Sequence, residues 1–575
     1  MQLTIAYSHT SHTSLHGINM AKRYTRDEAL LLLFDDDVDD GPQSQEEDVS
    51  EEDDDTEFNA DEDSNSEEEM EEEEEFANAG TSFPSKNGNI IWHPSATVTP
   101  SRATSENIIH MRPGPTRYAI ARTDDILSVF ELFITKPIQS LILDMTNIEG
   151  RRVYGINWRM LDLVDLQAYI GLLLLAGVYR SRNEATASLW DAESGRSIFR
   201  ATMSLQTFHI LSRIVRFDNK ETRPAQRVSD KLAAIREVWD KWVELLPLMY
   251  NPSPEVTVDE RLVPFRGRCP FKQYIPSKPG KYGIKIWALC DARSSYAWNL
   301  QIYTGKTLEG REKNQGMRVV LDLTEGLRGH NVTCDNFFTS YTLGEELLKR
   351  KITMVGTVRR NKPELPLELL QMKNRELFSS KFAFTPTHTL VSYCPKKNKN
   401  VLLLSTLHKE GKVSDREDKK PEIILHYNST KGGVDNLDKV ASTYTCQRKT
   451  YRWPVVVFFN MLDISAYNAY VVWLEVNPEW QHGKCFRRRI FLEELGKSLV
   501  APLIQRRQRL PRSPAAANVV RAAQSTSTQS KKGDKRKRCK VCLPRDVKTS
   551  LSCKNCNQFI CKAHANMVVF CESCL

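Results

Sequence analysis

Three stretches set acidic side chains among Arg, Lys and Asn in a pattern suited to phosphate chemistry: TVDERLVPFRGRCPFKQYIPSKPGKYGIK (257–285), VTCDNFFTS (332–340) and YNSTKGGVDNLDK (427–439). Each puts an aspartate at a strand end or beside a turn, namely Asp259, Asp335 and Asp435. Hard divalent cations such as Mg²⁺ take oxygen ligands and leave other positions to water and substrate phosphates. Two such ions roughly 4 Å apart can clamp the attacking and leaving oxygens of a phosphodiester. The aspartates lie 76 and 100 positions apart, so only the fold can bring them together. Each has a plainer reading. Asp259 could pair with Arg261 or Arg266, Asp335 could cap a following helix, and Asp435 could simply follow Gly432-Gly433. Asp438, three residues on, shares the face of Asp435 if a helix starts there, which makes it a fourth candidate as ligand or as support. Asp463 sits in an apolar helical stretch and reads as structural.

A second constellation closes the chain. Residues 539–574 read C-x2-C-x10-C-x2-C-x4-C-x2-H-x6-C-x2-C, with Cys539, Cys542, Cys553, Cys556, Cys561, His564, Cys571 and Cys574 as four pairs at two-residue gaps. Such a pair reaches one tetrahedral Zn²⁺, and eight ligands make two closed, structural sites. Interleaved pairing, 539/542 with 561/564 and 553/556 with 571/574, is expected by analogy with cross-braced modules. The other cysteines are scattered and read as small buried residues. An N-terminus without a basic stretch followed by an apolar one disfavours secretion, so a disulfide framework is not expected.

The elements that must position these groups follow from hydrophobic period. From 116 to 253 the pattern is helical: Ile126, Phe130 and Phe133, then Ile138, Leu141, Ile142 and Met145, share faces, and Asp165 can cap Leu166–Val178. Phe208, Leu211 and Val215, and Leu232, Ile235, Trp239, Trp242 and Leu246, supply further stripes that read as core. At 254 the period becomes two. Strands are expected at Val256–Asp259, Tyr282–Ile286, Trp298–Ile302, Asn331–Cys334 and Ile352–Val358, with helices at Met317–Leu327 and Leu343–Lys351. The order β-β-β-α-β-α-β, with acids ending strands one and four, matches a ribonuclease-H-like (RNase-H-like) nuclease core.

The expected fold is therefore α/β. A disordered acidic region (1–115) precedes an α-helical domain (116–253) and an RNase-H-like catalytic core in two parts (254–360 and 445–500). An insertion (361–444) divides the core, and a basic linker (501–538) leads to a small Cys-rich zinc-binding domain (539–575). Thr25–Glu28 is a capping box for one short helix ahead of the acidic runs, and Met20, opening MAKRYTRDEA, reads as a natural start. No run of 18 apolar residues occurs, and Ile170–Val178 fits a buried helix better than a span, so no membrane partner is expected.

The blocks TVDERLVPFRGRCPFKQYIPSKPGKYGIK, CDNFFTS, GTVRRNK and YNSTKGGVDNLDK resemble the signature blocks of piggyBac-type DNA transposases, over roughly 117–575. The resemblance implies a cut-and-paste transposase that excises its element through hairpin ends and inserts at TTAA. It implies three catalytic aspartates at Asp259, Asp335 and Asp435, with Asp438 as an adjacent fourth acid, holding two Mg²⁺. It also implies a helical dimerisation and DNA-binding domain, hence a homodimer on double-stranded DNA, and a Cys-rich tail that reads the transposon terminal repeats. Arg266, Arg268, Lys272, Lys278, Lys281 and Lys285, with Arg448, Lys449 and Arg452, are expected to line the phosphate track. Lys531–Arg538 (KKGDKRKR) reads as a nuclear-localisation patch. The alternative is a domesticated, transposase-derived nuclear protein that binds DNA or chromatin without transposing.

Charge is unevenly placed. The chain has 575 residues and a net charge of +7, but residues 35–75 hold 25 acids and no Lys or Arg. The remainder carries 80 basic against 48 acidic side chains, or +32, which points to a nucleic-acid partner. Twenty-five carboxylates tethered beside that basic body are expected to compete with phosphates at high effective concentration. Deleting residues 35–75 should tighten binding to a random duplex at low salt, with the gap closing as salt rises. Binding isotherms of both proteins at two salt concentrations test this; coincident curves at low salt would leave the segment a passive solubilising tail.

Overall fold

The computed structural model describes residues 82–96, 109, 111–305, 312–529, 537–542, 547–549, 551 and 558–565. The Thr25–Phe34 helix, the acidic runs and most of Lys531–Arg538 lie outside these residues. A nine-stranded mixed sheet organises the chain. Its strands are β1 (Glu255–Pro264), β2 (Gln273–Tyr274), β3 (Tyr282–Asp291), β4 (Ala297–Ile302), β5 (Asn331–Cys334), β6 (Thr353–Thr357), β7 (Ser380–Phe384), β8 (Thr389–Lys396) and β9 (Lys399–Ser405). The spatial order is β7-β8-β9-β6-β5-β1-β3-β2, with β4 paired to β3. Only β1–β5 and β5–β6 are parallel; every other pair is antiparallel. Chain order through β6 follows the sequence reading where alternating apolar residues define the strand, with two differences: β1 runs on past Asp259 to Pro264, and the short β2, which has no apolar alternation, is an addition to that reading.

The 361–444 stretch, expected to interrupt the core, continues its sheet instead: β9 pairs antiparallel with β6, and β8 and β7 extend outward from it. The physical reason is a free edge on β6, which an apolar strand such as Val401–Ser405 covers by hydrogen bonding.

The principal helices, in chain order, are α1 (Lys136–Tyr154), α2 (Leu163–Val178), α3 (Leu205–Ile214), α4 (Arg236–Val243), α5 (Glu422–Thr430), α6 (Gly433–Thr443), α7 (Trp453–Val476), α8 (Arg487–Gln505) and α9 (Pro514–Gln529). Asp162, not Asp165, caps α2; Asp165 closes the reciprocal capping box and also receives Arg159 and Arg506. Helix α7 is long and apolar enough to cross a membrane, yet 83% of its apolar window is buried in protein. Its polar groups are matched there: Asn468 exchanges two hydrogen bonds with the backbone of Ala297 on β4, and Trp242 donates to Ser465 Oγ at 2.8 Å. The aromatic stripes of the first helical region are core, with Phe208, Trp239 and Trp242 buried.

Two disorder-like assignments are corrected. Residues 82–96 form a hairpin, Phe83–Pro84 with Ile91–Trp92, around Asn87-Gly88. Gly88 has φ +70, and Asn-Gly between apolar residues is a hairpin signal. Trp92 is fully buried and donates Nε1–H to the Glu364 carbonyl, so the hairpin is strapped to the body. The stretch 514–529, read as linker, is α9, with Ala516, Ala517 and Val520 buried. Alanine has the highest helix propensity and needs little space, so an Ala-rich run docks without the bulky stripe that period analysis seeks.

Candidate active site

Two carboxylates meet because two strands are parallel and in step. Val258 of β1 pairs with Cys334 of β5, so Asp259 and Asp335 follow at the same level of adjacent strands. Neighbouring strands lie about 4.8 Å apart, which brings the carboxylates side by side. Each is oriented by backbone: Glu260 N–H donates to Asp259 Oδ1 at 2.7 Å, and Phe337 N–H to Asp335 Oδ1 at 2.9 Å.

The third arrives through a pinned helix break. Thr257 Oγ1 donates to the Thr430 carbonyl at 2.6 Å, and Thr333 Oγ1 meets Thr430 Oγ1 at 2.7 Å. The end of α5 is thus tied to β1 and β5 one step below the acids. A Cβ on Gly433 would come within 2.6 Å of Thr257 Oγ1, so only glycine lets α6 start this close. Asp435 then falls in the first turn of α6, where the helix dipole favours a carboxylate.

Asp259, Asp335 and Asp435 line one cavity of about 180 Å³, with Thr257, Thr333, Tyr427 and Lys431. Burial, reinforced by the Asp335 charge, pushes Asp259 up to about 7. Burial also raises Asp335, with Glu260 adding to it and the Phe337 N–H and Arg359 opposing. Lys278 Nζ sits 3.5 Å from Asp435 Oδ1. Burial works against its charge, but Asp259 and Asp435 hold its ammonium above the usual range. The donors are carboxylate oxygens crowded against mutual repulsion, a set that fits a hard divalent cation.

The other expected site residues divide. Asp438 does not line the cavity; it is bonded to the buried Arg261. Arg448 donates to the carbonyls of Ser181 and Glu184, and Arg452 to those of Ser212, Arg213 and Val215 at the end of α3. Burial takes the Arg452 guanidinium down to about 9. Both tie the chain before α7 to the helical region, which corrects their place on a phosphate track: their donors already serve carbonyls. Lys285 is paired with Glu260, and Lys272 donates to the Arg266 and Gly267 carbonyls. Arg266, Arg268, Lys281 and Lys449 are exposed. Three cavity neighbours lay in the quoted blocks without an assigned part: Tyr427, Lys431 and Arg359. Tyr427 and Lys431 are four apart at the end of α5, a helical spacing that could have marked them.

At the C-terminus the structure brings Cys539, Cys542, Cys561 and His564 together, with one candidate ligand atom from each within 4.8 Å of the others. The Cys561 N–H donates to Cys539 Sγ at 3.2 Å and helps hold that thiol below its usual range. Cys553, Cys556, Cys571 and Cys574 lie outside the described residues.

The sequence model of a family described as Transposase IS4 matches residues 127–470, more than half of the chain. The cryo-EM structure of a piggyBac transposase synaptic complex with hairpin DNA superposes with a TM-score of 0.66 at 34% identity, covering 81% of this chain and all of that one. The chain belongs to the piggyBac-type transposase family. Human PiggyBac transposable element-derived protein 3 is 23% identical over 392 residues, 63% of each chain. Human PiggyBac transposable element-derived protein 2 is 22% identical over 377 residues, 62% of this chain and 61% of the relative. The chain thus spans about three fifths of the length of these curated relatives. Transposases of this family suggest divalent-metal use, which agrees with the all-oxygen donor set.

In this piggyBac-type chain the site opposes folding. Without a cation, folded Asp259 titrates near 7 against 3.8 for an ordinary aspartate, so the folded state holds the extra proton between those values. Stability is therefore highest at the acid side of that window and falls as pH rises toward 7. The loss is on the order of 4 kcal/mol. Asp259→Asn in chelator should melt higher than wild type at pH 8 and nearly level with it at pH 4.5. Thermal unfolding at both values decides; equal melting points at pH 8 would mean that the carboxylate is not under strain.

Proposed function

We propose that this chain is a metal-dependent DNA transposase that cleaves and joins strands, cut-and-paste fashion, with TTAA as target. The observation that carries the reading is the convergence of Asp259, Asp335 and Asp435 on one cavity, Asp259 from within β1, Asp335 from just after the parallel β5 and Asp435 from a helix start. The sheet order, with acids just past the paired residues of two adjacent parallel strands, supports an RNase-H-like core. The three carboxylates would hold Mg²⁺, two ions in this reading. Bound there, the metal would activate the attacking oxygen and stabilise the leaving one.

The remaining parts belong to the protein. Glu260 N–H and Phe337 N–H fix the faces that Asp259 and Asp335 present. Lys278, held by Asp435, and Lys431, on the cavity wall, offer cations to a scissile phosphate beside the acids. Arg266, Arg268, Lys281 and Lys449 extend an exposed basic surface for the sugar-phosphate backbone. That the 34%-identical neighbour is a DNA complex supports double-stranded DNA, ending in terminal repeats, as the partner. A homodimer and a nuclear address complete the reading, the latter resting on KKGDKRKR. The element-derived human relatives favour a second reading, binding to DNA or chromatin without transposition.

One assay separates the two. Asp259→Asn, Asp335→Asn and Asp435→Asn should each abolish nicking of an end-containing duplex in Mg²⁺ or Mn²⁺ while retaining DNA. Wild-type protein that binds but never nicks would establish the second reading; three variants that nick like wild type would overturn the site.

The Cys-rich tail is proposed to take two Zn²⁺, one at Cys539, Cys542, Cys561 and His564, whose sulfur and imidazole donors suit that ion. Metal analysis of the full chain should give two zincs, and Cys561→Ser should give one. A single zinc in the wild type would refute the eight-ligand scheme.

A further inference from the structure

Residues on one face of a strand recur every second position, so Thr257, Asp259 and Arg261 of β1 share a face. Opposite them runs the chain from the end of α5 into α6. Thr257 meets Thr430 by a hydrogen bond and Gly433 by close approach. Asp259 shares the cavity with Asp435. Arg261 donates Nε–H to Asp438, one helical step beyond Asp435. Helix α6 thus lies along β1 on three rungs. The first is neutral and bonded, the second sets acid against acid, and the third is an ion pair.

The third rung is built for holding. Arg261 is only 2% exposed, and its Nη1 is buried without a hydrogen-bond partner among the described residues. It forms a salt bridge with Asp438, whose side chain is 31% exposed. An Asp438 carboxylate oriented on Arg261 is turned to the strand, and it does not line the cavity. Repulsion on the middle rung, eased by Lys278, works against α6, which Thr430, the buried Val434 and Leu437 and the Asn436–Ser295 hydrogen bond hold in place. None of these contacts is made to the face of β1 that carries Asp259 beyond that residue; the Arg261–Asp438 pair is, and it sets the rotation of α6 against that face.

We infer that Arg261 and Asp438 are a positioning pair: they clamp α6 to β1 so that Asp435 faces Asp259 at the distance one cation needs. The inference rests on the proposed reading that Asp259, Asp335 and Asp435 hold that cation. It separates Asp438 from the ligand set and gives Arg261 a part in the site.

The test is Mn²⁺ titration of the full chain by calorimetry, with stoichiometric Zn²⁺ present and thermal melts as the folding control. Wild type should bind and Asp435→Asn should not. Asp438→Asn should bind roughly 10- to 100-fold more weakly, the usual cost of losing a group that orients a ligand. The double variant Arg261→Met with Asp438→Leu removes both charges and strands neither, so it should recover to within roughly threefold of wild type. The reversed pair, Arg261→Glu with Asp438→Arg, gives an independent rescue. Recovery in either double variant supports the clamp. A ligand cannot be restored by a change at position 261, so failure of both doubles overturns the clamp, as does wild-type affinity in Asp438→Asn. A wild-type chain that takes up no Mn²⁺ would instead remove the cation reading itself.

Discussion

Crowding three carboxylates into one cavity is the constraint around which this structure is arranged. Two of them owe their proximity to a single registration, Val258 beside Cys334, and cannot move apart without breaking parallel hydrogen bonds. The third comes from 100 residues further on and has no strand to hold it. Its place depends on threonines: Thr257 and Thr333, paired across the same two strands, both reach Thr430. The strands that carry the acids also fix the helix that brings the last acid, so one local deformation would disturb all three.

Holding like charge together requires positive charge nearby and stability elsewhere. Lys278, Arg261 and Lys285 answer Asp435, Asp438 and Glu260 respectively, each an ion pair within a few residues of the cavity. The core supplies the rest. Helix α7 buries most of its length, and its Asn468 is hydrogen-bonded to β4 so that an amide in that apolar setting costs little. Functional sites commonly oppose folding in this way, and the remainder of the chain must offset them.

Period and turn chemistry made most strands, the acid after β5 and the aromatic stripes legible in the sequence, whereas Asp259, expected to end its strand, lies within β1. What escaped has identifiable causes. The β7–β9 extension depends on a free edge at β6, which is a property of the sheet and not of the segment. Helix α9 hid because alanine gives no hydrophobic period, and the Trp92 hairpin because acidic runs precede it. Within the site, the aspartates stood out because their type and surroundings suit a cation, whereas Tyr427 and Lys431 need the cavity to acquire meaning.

Basic residues were the least legible group, for a physical reason. An arginine presents five donors, and a helix end presents unsatisfied carbonyls, so a buried arginine finds employment in the fold as readily as on a phosphate. Arg452 shows this at the end of α3, where it takes three carbonyls at once. Sequence proximity to a motif cannot distinguish these parts; exposure can. Of the nine cations expected on a DNA track, Arg266, Arg268, Lys281 and Lys449 are exposed, and Lys278 stands among the acids. Neutralising an exposed cation should weaken the proposed DNA binding in proportion to the phosphates it meets, whereas neutralising Arg448 or Arg452 would first loosen the junction between α7 and the helical region. A +32 body therefore overstates the charge available to the proposed DNA partner, because part of it already holds the protein together.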